Sequence, residues 1–215
     1  LVVLGSKYSV PSQGYYRAFV VDIKTSVHVY DISEKSQPTL LTDFTMSGSY
    51  FNSRMIGDYV YFVISQPAYV IYDTVILPKL YSNGEIREID VSEIHYSDTP
   101  DNYFMFTTVV ALNIQDIAEE PTRETIMMGG TSSMYVSLNN IYITFPESDG
   151  ETSIYRMRIE ESAISIEAHG KVPGRELNQF SMDEYNNYFR VATSRWLGGS
   201  VQSNVYVLDM DLIIV

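Results

Sequence analysis

Apolar and polar residues alternate along most of this chain, and this alternation is the period of a β-strand. The clearest examples are residues 27–32, 59–64 and 205–210. Helical spacing is confined to 91–95 and 114–119, each long enough for only one or two turns. The pattern therefore predicts an all-β chain.

Two kinds of unit recur along the sequence. The first is a β-branched and aromatic strand, found at 27–32, 109–114, 154–159 and 205–210. The second is a hairpin with a polar tip, and the predicted tips are Gly57-Asp58, Asn139-Asn140 and Asn186-Asn187. Gly and Asn accept the positive φ angles that tight hairpin turns require. The chain is therefore predicted to be a repeat protein.

The spacing of these units identifies a period and an insertion. The strand unit advances by 82 residues from Val27 to Val109, and the hairpin tip advances by 82 from Asp58 to Asn140. The next steps are 45 residues for the strand and 47 for the tip. A period of about 45–50 residues is typical of four-stranded β-propeller blades. The longer step is one such period plus an insertion of about 35 residues, placed at 66–106, where prolines and acidic residues collect.

The repeats predict one β-propeller over residues 1–215, with the insertion at 66–106 inside it. Four-stranded antiparallel blades are grouped as 27–65, 109–145 and 154–194, while 205–215 opens a further blade and 1–5 closes an earlier one. Segment 16–23 also has strand character but has no clear place. This grouping predicts an incomplete fragment of about three whole blades and two partial ones. A β-sandwich or an irregular barrel is the alternative, because both also have short strands and frequent turns.

Six stretches carry a likeness to one known family, namely 29–33, 48–63, 106–110, 132–137, 177–185 and 204–210. The chain resembles the prokaryotic, largely archaeal, family of secreted proteins with a C-terminal β-propeller domain distantly related to WD repeats. The resemblance implies a propeller fold and an exported or membrane-anchored parent protein, so an extracellular or cell-surface location is expected. It implies no known activity and no catalytic residues. The sequence lacks the Gly-His and Trp-Asp dipeptides of ordinary WD repeats.

The charge and the composition argue against several classes of function. The chain has 14 basic and 27 acidic residues and a formal net charge of −13. Nucleic-acid binding needs clustered Lys and Arg, so no nucleic-acid partner is expected. No segment is apolar and long enough to span a bilayer, so direct membrane insertion is not expected either. The sequence has no Cys, which excludes disulfides, thiolate nucleophiles and Cys-ligated zinc.

The His and Ser residues form no recognisable catalytic or metal-binding motif. His28, His95 and His169 lack a partner at metal-ligand spacing and are expected to be structural or surface residues. No Gly-x-Ser-x-Gly elbow occurs. The sequence does not exclude a Ser–His–Asp triad, because the three residues of a triad can be far apart in the sequence and close together in the fold. No catalytic or cofactor-binding residue is therefore assigned.

Calcium is the one cofactor for which the sequence offers ligands. Oxygen ligands stand close together in 98–102, in Asp149-Gly150-Glu151 and in Asp209-Met210-Asp211, as a hard cation requires. The alternative is turn chemistry, since Asp, Asn and Gly stabilise turns through the local backbone. The doublets Gly129-Gly130 and Gly198-Gly199 precede no helix and are interpreted as turns or bulges.

Tyrosine gives the strongest indication of binding. The chain has 18 Tyr, against 9 Phe and 1 Trp. Tyr is favoured at recognition surfaces, because it supplies contact area at low entropic cost. The candidates in the N-terminal loop and the insertion are Tyr15, Tyr16, Tyr69, Tyr72, Tyr81, Tyr96 and Tyr103. The alternative is that these rings close over blade edges as part of the core.

Two functions are consistent with these features. The first is a non-enzymatic binding or scaffold module for a protein or carbohydrate ligand, bound on a propeller face or against the insertion. The second is a propeller hydrolase or lyase acting on carbohydrate, with acidic residues at the central channel. Open blade edges are also expected to cause self-association.

Overall fold

The chain is built almost entirely from short antiparallel strands. The computed structural model describes residues 1–9, 22–82, 84–96 and 103–215. The strands, in chain order, are β1 (Val2–Ser9), β2 (Asp22–Asp31), β3 (Thr39–Ser47), β4 (Ser49–Ile56), β5 (Tyr59–Pro67), β6 (Val70–Ile71), β7 (Thr74–Val75), β8 (Lys79–Ser82), β9 (Glu85–Glu88), β10 (Ile94–Tyr96), β11 (Met105–Asn113), β12 (Thr122–Met128), β13 (Ser133–Val136), β14 (Asn140–Pro146), β15 (Glu151–Glu160), β16 (Ala163–Pro173), β17 (Arg175–Glu176), β18 (Met182–Tyr185), β19 (Tyr188–Leu197) and β20 (Ser200–Leu208). Two single-turn 3₁₀ helices, Val91–Glu93 and Gln179–Ser181, are the only helical segments among these described residues. The predicted all-β class is confirmed.

The described strands form four sheets and one small ribbon. Sheet I has the spatial order β1-β2-β3-β8-β9, and sheet II has the order β10-β12-β11-β5-β4. Sheet III is the meander β13-β14-β15-β16. In sheet IV, β19 lies between β20 on one side and the collinear β17 and β18 on the other. The ribbon pairs β6 with β7.

The three predicted hairpins are present, because polar turn residues separate strands of alternating pattern. Ile56 faces Tyr59 across the tip Gly57-Asp58, and Tyr185 faces Tyr188 across Asn186-Asn187. Gly57 and both of these Asn residues have positive φ, as two-residue hairpin loops require. The third tip was displaced by one residue, because Ser137 pairs with Asn140 and the loop is 138–139.

The predicted grouping of strands into blades was wrong by half a repeat. The chain leaves sheet I for sheet II between β3 and β4, and leaves sheet III for sheet IV between β16 and β17. A glycine at positive φ stands at each step, Gly48 (φ +106°) and Gly174 (φ +88°). A Cβ at Gly48 would lie 2.7 Å from Ile64 Cγ2, and one at Gly174 would lie 2.8 Å from Thr193 Oγ1. The glycines therefore mark the boundaries, and the segments 27–65, 109–145 and 154–194 each straddle one sheet boundary.

Three smaller predictions also change. Segment 1–5 belongs to β1, which pairs with β2 in sheet I and does not close an earlier sheet. Residues 205–208 form the end of β20, the neighbour of β19, so segment 205–215 does not open a new sheet. Residues 114–119 form turns instead of a helix, whereas 91–93 form a 3₁₀ turn as expected. Residues 16–21 lie outside the described part of the chain.

The chain divides into two compact units. The first contains residues 1–98 and 104–128, with sheets I and II. Sheet I packs its face against sheet II, and this core comprises Val27, Val29, Phe44, Met46, Val60, Phe62, Ile64, Val110 and Leu112. Alternation in β2 and β3 buries one face of sheet I, which is the reason for the period of two in the sequence.

The second unit contains residues 99–103 and 129–215, with sheets III and IV. Its core comprises Tyr142, Ile154, Val172, Met182, Phe189, Val191, Leu208 and Leu212. The ring of Tyr142 stacks on Phe189 with centroids 4.0 Å apart. Leu212 has a φ of +60° and lies over Gly170 of β16, where a side chain would collide with it.

The segment between β5 and β11, where the insertion was predicted, adds strands to existing sheets. β8 pairs with β3 and β9 pairs with β8, which extends sheet I by two strands. β10 pairs with β12 in parallel and extends sheet II. The described residues include no helix that is both long and apolar enough to cross a membrane.

Candidate functional site

A cleft of about 430 Å³ opens in the first unit, between the outer strands of sheet I and the β11–β12 loop of sheet II. Ligand pockets usually have volumes of several hundred cubic ångströms. The residues that line the cleft are Thr42, Asp43, Phe44, Leu80, Ser82, Glu85, Arg87, Leu112, Ile117, Ala118, Glu119, Glu120, Pro121 and Arg123. Its floor is apolar, because Phe44 and Leu112 belong to the core, whereas its walls carry charges of both signs.

One wall is the β8–β9 hairpin. Leu80 pairs with Arg87 and Ser82 pairs with Glu85, so these four side chains share the face of the hairpin that lines the cleft. All four residues of β9 are exposed, and β9 forms one edge of sheet I. Within the described residues no strand pairs with its far side. This wall therefore offers both side chains and free backbone groups to a ligand.

The opposite wall is loop 114–121, which the side chain of Asn113 organises. Its Oδ1 accepts hydrogen bonds from the backbone N–H groups of Gln115 (2.9 Å) and Asp116 (3.0 Å). Its Nδ2 donates to Glu119 Oε2 at 2.8 Å. The hydroxyl of Tyr59 donates to the same carboxylate oxygen at 3.0 Å. Glu119 is therefore held in place at the cleft wall.

Arg123 ties the cleft to the segment that precedes β10. Its Nη2 donates to Glu93 Oε2 at 3.1 Å, and Glu93 belongs to the 3₁₀ turn that leads into β10. Beside this pair, His95 Nε2 lies 3.5 Å from Glu124 Oε2. Burial raises the pKa of Glu124, while His95 opposes the rise and Glu93 adds to it. The charged groups around β10 and β12 therefore interact with one another, and of these only Arg123 lines the cleft.

Among the described residues, the acidic residues of 147–151 form the one cluster of three carboxylates close enough to share a metal ion. Oxygens of Glu147, Asp149 and Glu151 all lie within 4.8 Å of one another, on the β14–β15 hairpin. The buried member, Glu147, is already engaged by Ser153 and by Lys171, whose Nζ lies 2.7 Å from Oε2. Asp149 Oδ1 accepts from the N–H of Glu151 at 3.0 Å, which is turn chemistry. Because an ammonium already neutralises the deepest carboxylate, the residues present do not fit a calcium ion well.

The other predicted calcium ligands follow the turn interpretation or fall outside the described residues. Asp209 Oδ1 accepts from the N–H groups of Asp211 (3.0 Å) and Ile213 (2.9 Å), so its carboxylate stabilises a turn. Residues 98–102 lie outside the described part of the chain. The Gly198-Gly199 doublet is the two-residue tip of the β19–β20 hairpin, with φ of +57° and +88°.

A Ser–His pair exists in the second unit but lacks the geometry of a triad. Ser153 Oγ lies 3.2 Å from His169 Nε2, but it donates to Glu147 and is fully buried. The His169 ring stacks on Tyr155, with centroids 4.4 Å apart. Burial, and then the Lys171 ammonium, lower the pKa of His169. The cluster holds β14, β15 and β16 together and presents no accessible nucleophile.

The candidate tyrosines divide into two groups. Tyr72 and Tyr96 are exposed, whereas Tyr69 and Tyr81 are half-buried. Lys24 Nζ lies 4.3 Å from the centroid of the Tyr81 ring. Because the adjacent Leu80 packs against the core, Tyr81 lies on the opposite face of sheet I and is not part of that core. Tyr103 is exposed, and Tyr15 and Tyr16 lie outside the described residues.

Sequence reasoning missed a repeated threonine at the sheet boundaries. Thr25 Oγ1 donates to the carbonyl of Gly48 at 2.8 Å, and Thr152 Oγ1 donates to that of Gly174 at 2.7 Å. Each Thr stands two residues before a repeat strand. Thr107 stands at the same place in the second repeat, and Gly129-Gly130 follows it at a similar distance. This paired Thr and Gly was the signal that could have located the boundaries.

Comparison with known proteins agrees with this architecture of repeated small sheets. The family model described as Beta propeller domain matches residues 1–215. The chain belongs to the beta-propeller domain family. No solved structure gives a significant match to the chain.

The matched relatives of this beta-propeller chain are archaeal and uncharacterised. An uncharacterised protein of Archaeoglobus fulgidus is 45% identical over 65 residues, which cover 29% of this chain and 10% of that protein. An uncharacterised protein of Methanocaldococcus jannaschii is 51% identical over 49 residues, which cover 21% of this chain and 8% of that protein. The matched stretches therefore span about a tenth of the length of these relatives.

Proposed function

We propose that this beta-propeller chain is a non-enzymatic binding module whose ligand is an extended segment of another protein. The ligand pairs with the free edge of β9 and places side chains in the adjoining cleft. The observation that carries this proposal is the coincidence of a strand edge that no other described strand pairs with and a cleft of about 430 Å³ lined by the same strand. Recognition by strand addition uses backbone hydrogen bonds for affinity and side-chain pockets for specificity.

The charges along the cleft support a ligand with a defined order of basic and acidic residues. Glu85 and Arg87 alternate on the cleft side of β9, and Glu119 is fixed on the opposite wall. A peptide that presents a basic residue opposite the acidic wall and an acidic residue opposite Arg87 complements this pattern. The net charge of −13 also favours encounter with basic segments.

The lining favours a peptide over a carbohydrate ligand. Phe44 is the only aromatic residue of the lining, and it is 7% exposed, so the cleft has no aromatic face on which a sugar ring could lie. The carbohydrate hydrolase or lyase alternative also lacks support among the described residues. Their one cluster of three carboxylates is on the 147–151 hairpin and is engaged by Lys171.

A displayed library of random peptides tests the proposal. Peptides that enrich on the immobilised chain are synthesised, and their dissociation constants are measured by calorimetry. Exchanging the two charges in the variant Glu85→Arg with Arg87→Glu should weaken binding about tenfold or more, because both side chains would then oppose the ligand. The matched control exchanges the exposed pair Arg158 and Glu160 of β15, which lie far from the cleft in sequence and preserve the net charge.

Two outcomes would overturn the proposal. One is enrichment of no peptide by the wild-type chain. The other is enriched peptides that bind the β9 variant and the wild type equally, which would show that they do not use the cleft. Binding of a glycan array by the wild type, lost in the β9 variant, would replace the peptide with a carbohydrate ligand.

We further propose that sheets I to IV each correspond to one blade and that the parent protein is exported. The period of about 45–50 residues supports the first proposal, and the resemblance to a family of secreted proteins supports the second. An experimental structure of the parent protein would count its blades, and fractionation of its host cells would locate it. Recovery only in the cytosol would refute export.

A further inference from the structure

The far edge of β9 lies on the side of sheet I to which the repeat assigns no further strand. β3 and β16 are the last strands before the two boundary glycines, and β16 ends sheet III, whereas β8 and β9 lie outside β3. Neighbouring sheets of the repeat pack on the faces of a sheet, as both cores show, and not along this edge. An edge that no described strand pairs with is a template for another strand.

The backbone groups of Ile86 and Glu88 point toward this edge. The N–H of Ile89 donates to the carbonyl of Pro78 at 2.9 Å, so residue 89 faces β8. Because successive residues of a strand direct their hydrogen-bonding groups to opposite sides, the two even-numbered residues of β9 face away from β8. An added strand can therefore bond to the N–H and C=O groups of Ile86 and Glu88.

The sequence of β9 complements itself when two copies run antiparallel about Ile86. Ile86 then lies opposite Ile86 of the second copy, and the two residues exchange both backbone hydrogen bonds. Glu85 lies opposite Arg87 of the second copy, so a carboxylate meets a guanidinium on each side of the axis. Glu88 lies opposite Gly84 of the second copy, which has no side chain to oppose it.

The other antiparallel registers that keep the hydrogen bonds set like charges against each other. A register centred on Glu85 or Glu88 opposes two carboxylates, and one centred on Arg87 opposes two guanidinium groups. Like charges directly opposite each other destabilise a sheet. In the register centred on Ile86, the pairs of opposite charge are those that exchange no hydrogen bonds, where the Cα atoms approach to about 4.5 Å. The charges therefore select one register.

Ile86 supplies the apolar part of this contact. Its side chain is 66% exposed, and Tyr81 of β8 lies directly beside it, on the face of sheet I opposite the cleft. Pairing about Ile86 extends these two side chains into a row of four across both copies, with the Tyr81 rings at its ends. Aromatic and β-branched side chains that are neighbours across strands stabilise a sheet.

We propose that two copies of this chain pair through β9, antiparallel about Ile86, and so join their two five-stranded sheets I into one. An isologous contact of this kind closes at the dimer. The contact is short, so the dimer should dissociate at concentrations on the order of 100 μM. The pairing does not depend on the proposed function, but one consequence rests on it, namely that a peptide ligand must displace the second copy from the same edge.

Sedimentation velocity from about 1 μM to about 1 mM, at about 0.15 M salt, tests the proposal. The wild type should move from monomer to dimer. Arg87→Glu opposes two carboxylates on each side of the axis and should raise the dissociation constant about tenfold or more. Glu85→Arg with Arg87→Glu restores opposite charges and should return the dissociation constant to within about threefold of the wild type. The control for net charge is Arg54→Glu, at an exposed arginine of β4.

Amide hydrogen exchange locates the contact. The N–H of Ile86 should exchange slowly when the protein is concentrated and rapidly when it is dilute, whereas the N–H of Arg87, which faces β8, should be protected at both concentrations. Circular dichroism establishes that each variant folds. A wild type that stays monomeric, or a dimer whose Ile86 amide is unprotected, would overturn the proposal. So would dimerisation of Arg87→Glu like that of the wild type, a monomeric exchange variant, or loss of the dimer in Arg54→Glu.

Peptide binding separates this inference from the proposed function. The exchange variant should keep the dimer and lose affinity for selected peptides, because its charges still complement a second copy but are reversed toward the ligand. A chain that dimerises and enriches no peptide would refute the proposed function alone. A chain that binds peptides through β9 and stays monomeric at every concentration would refute the dimer alone.

Discussion

The hydroxyl of Tyr142 in β14 donates a hydrogen bond to Oε2 of Glu184 in β18 at 2.8 Å, and so joins sheet III to sheet IV. Asn140 Nδ2 donates to the same oxygen at 3.0 Å, and Arg156 Nη1 donates to Asn140 Oδ1 at 2.8 Å. The Tyr142 ring is fully buried against Phe189. A stacked apolar contact to β19 and a charge-assisted hydrogen bond to β18 therefore hold sheet III against sheet IV.

Removing this hydroxyl should destabilise the second unit. Tyr142→Phe keeps the ring on Phe189 but leaves Glu184 without one donor, and the expected loss is about 1–2 kcal/mol of unfolding free energy. Urea denaturation followed by far-ultraviolet circular dichroism measures it. Tyr188→Phe, at a ring that is 45% exposed, is the control and should change little. Equal stability of both variants would show that the hydrogen bond contributes nothing.

The same residue should make stability fall at alkaline pH. Burial, and then the Glu184 carboxylate, raise the pKa of Tyr142 well above its usual value of 10.0. Above about pH 10 the unfolded chain loses this proton while the folded chain keeps it, so stability is constant below that pH and falls above it. For each pH unit above about 10, the unfolding free energy of the wild type should fall by up to about 1.4 kcal/mol more than that of Tyr142→Phe. Urea midpoints from about pH 8 to about pH 11 measure the two slopes, and parallel slopes would contradict the assignment.

Gly170 should not tolerate a side chain. A Cβ there would overlap the carbonyl oxygen of Leu212 and lie 2.6 Å from its Cβ. Since Leu212 belongs to the core of the second unit, Gly170→Ala should cost about 1–3 kcal/mol through displaced packing. Gly5→Ala in β1, where a Cβ meets nothing within 4 Å, is the matched strand control. Thermal unfolding of both variants measures the difference, and similar midpoints would show that the terminal segment moves aside freely.

Lys171 should stabilise the 147–151 hairpin in place of a metal ion. Its ammonium pairs with Glu147, whose side chain is 4% exposed, so Lys171→Met leaves a buried carboxylate without its cation. The expected loss of unfolding free energy is roughly 2–4 kcal/mol. This is toward the lower end of the range for broken buried ion pairs, because the Lys171 side chain is 33% exposed. The exposed Lys35 serves as the control in Lys35→Met, which should be neutral.

Calcium gives the second measurement at this hairpin. About 1 mM calcium, an effective concentration for extracellular calcium modules, should leave the melting temperature of the wild type unchanged, and so should a chelator. A rise in melting temperature with calcium alone would show that Glu147, Asp149 and Glu151 bind the ion despite Lys171.

Much of the fold could be predicted because its signals are local. The alternation in 27–32 and 205–210 reflects strands with one face toward a core, and the loops Gly57-Asp58 and Asn186-Asn187 are selected by turn geometry. The candidate site was predictable only in part. A ligand was expected on a propeller face or against the insertion, and Glu85 and Arg87 lie in that insertion. Helical spacing was predicted for residues 114–119, which instead form turns.

By itself the sequence determined the strands, the hairpins and the period of the repeat, since each depends on residues a few positions apart. The tertiary structure showed where one sheet ends and the next begins, because Gly48 and Gly174 are needed only where atoms of another strand would lie within 3 Å of an added Cβ. The repeated Thr and Gly spacing gains its meaning from that contact. It also decided that Tyr142 meets Glu184, 42 residues away, and that Lys171 meets Glu147. The alternation of apolar and polar residues predicts which face of a strand is buried, but only the packing of the folded chain determines which sheet covers that face.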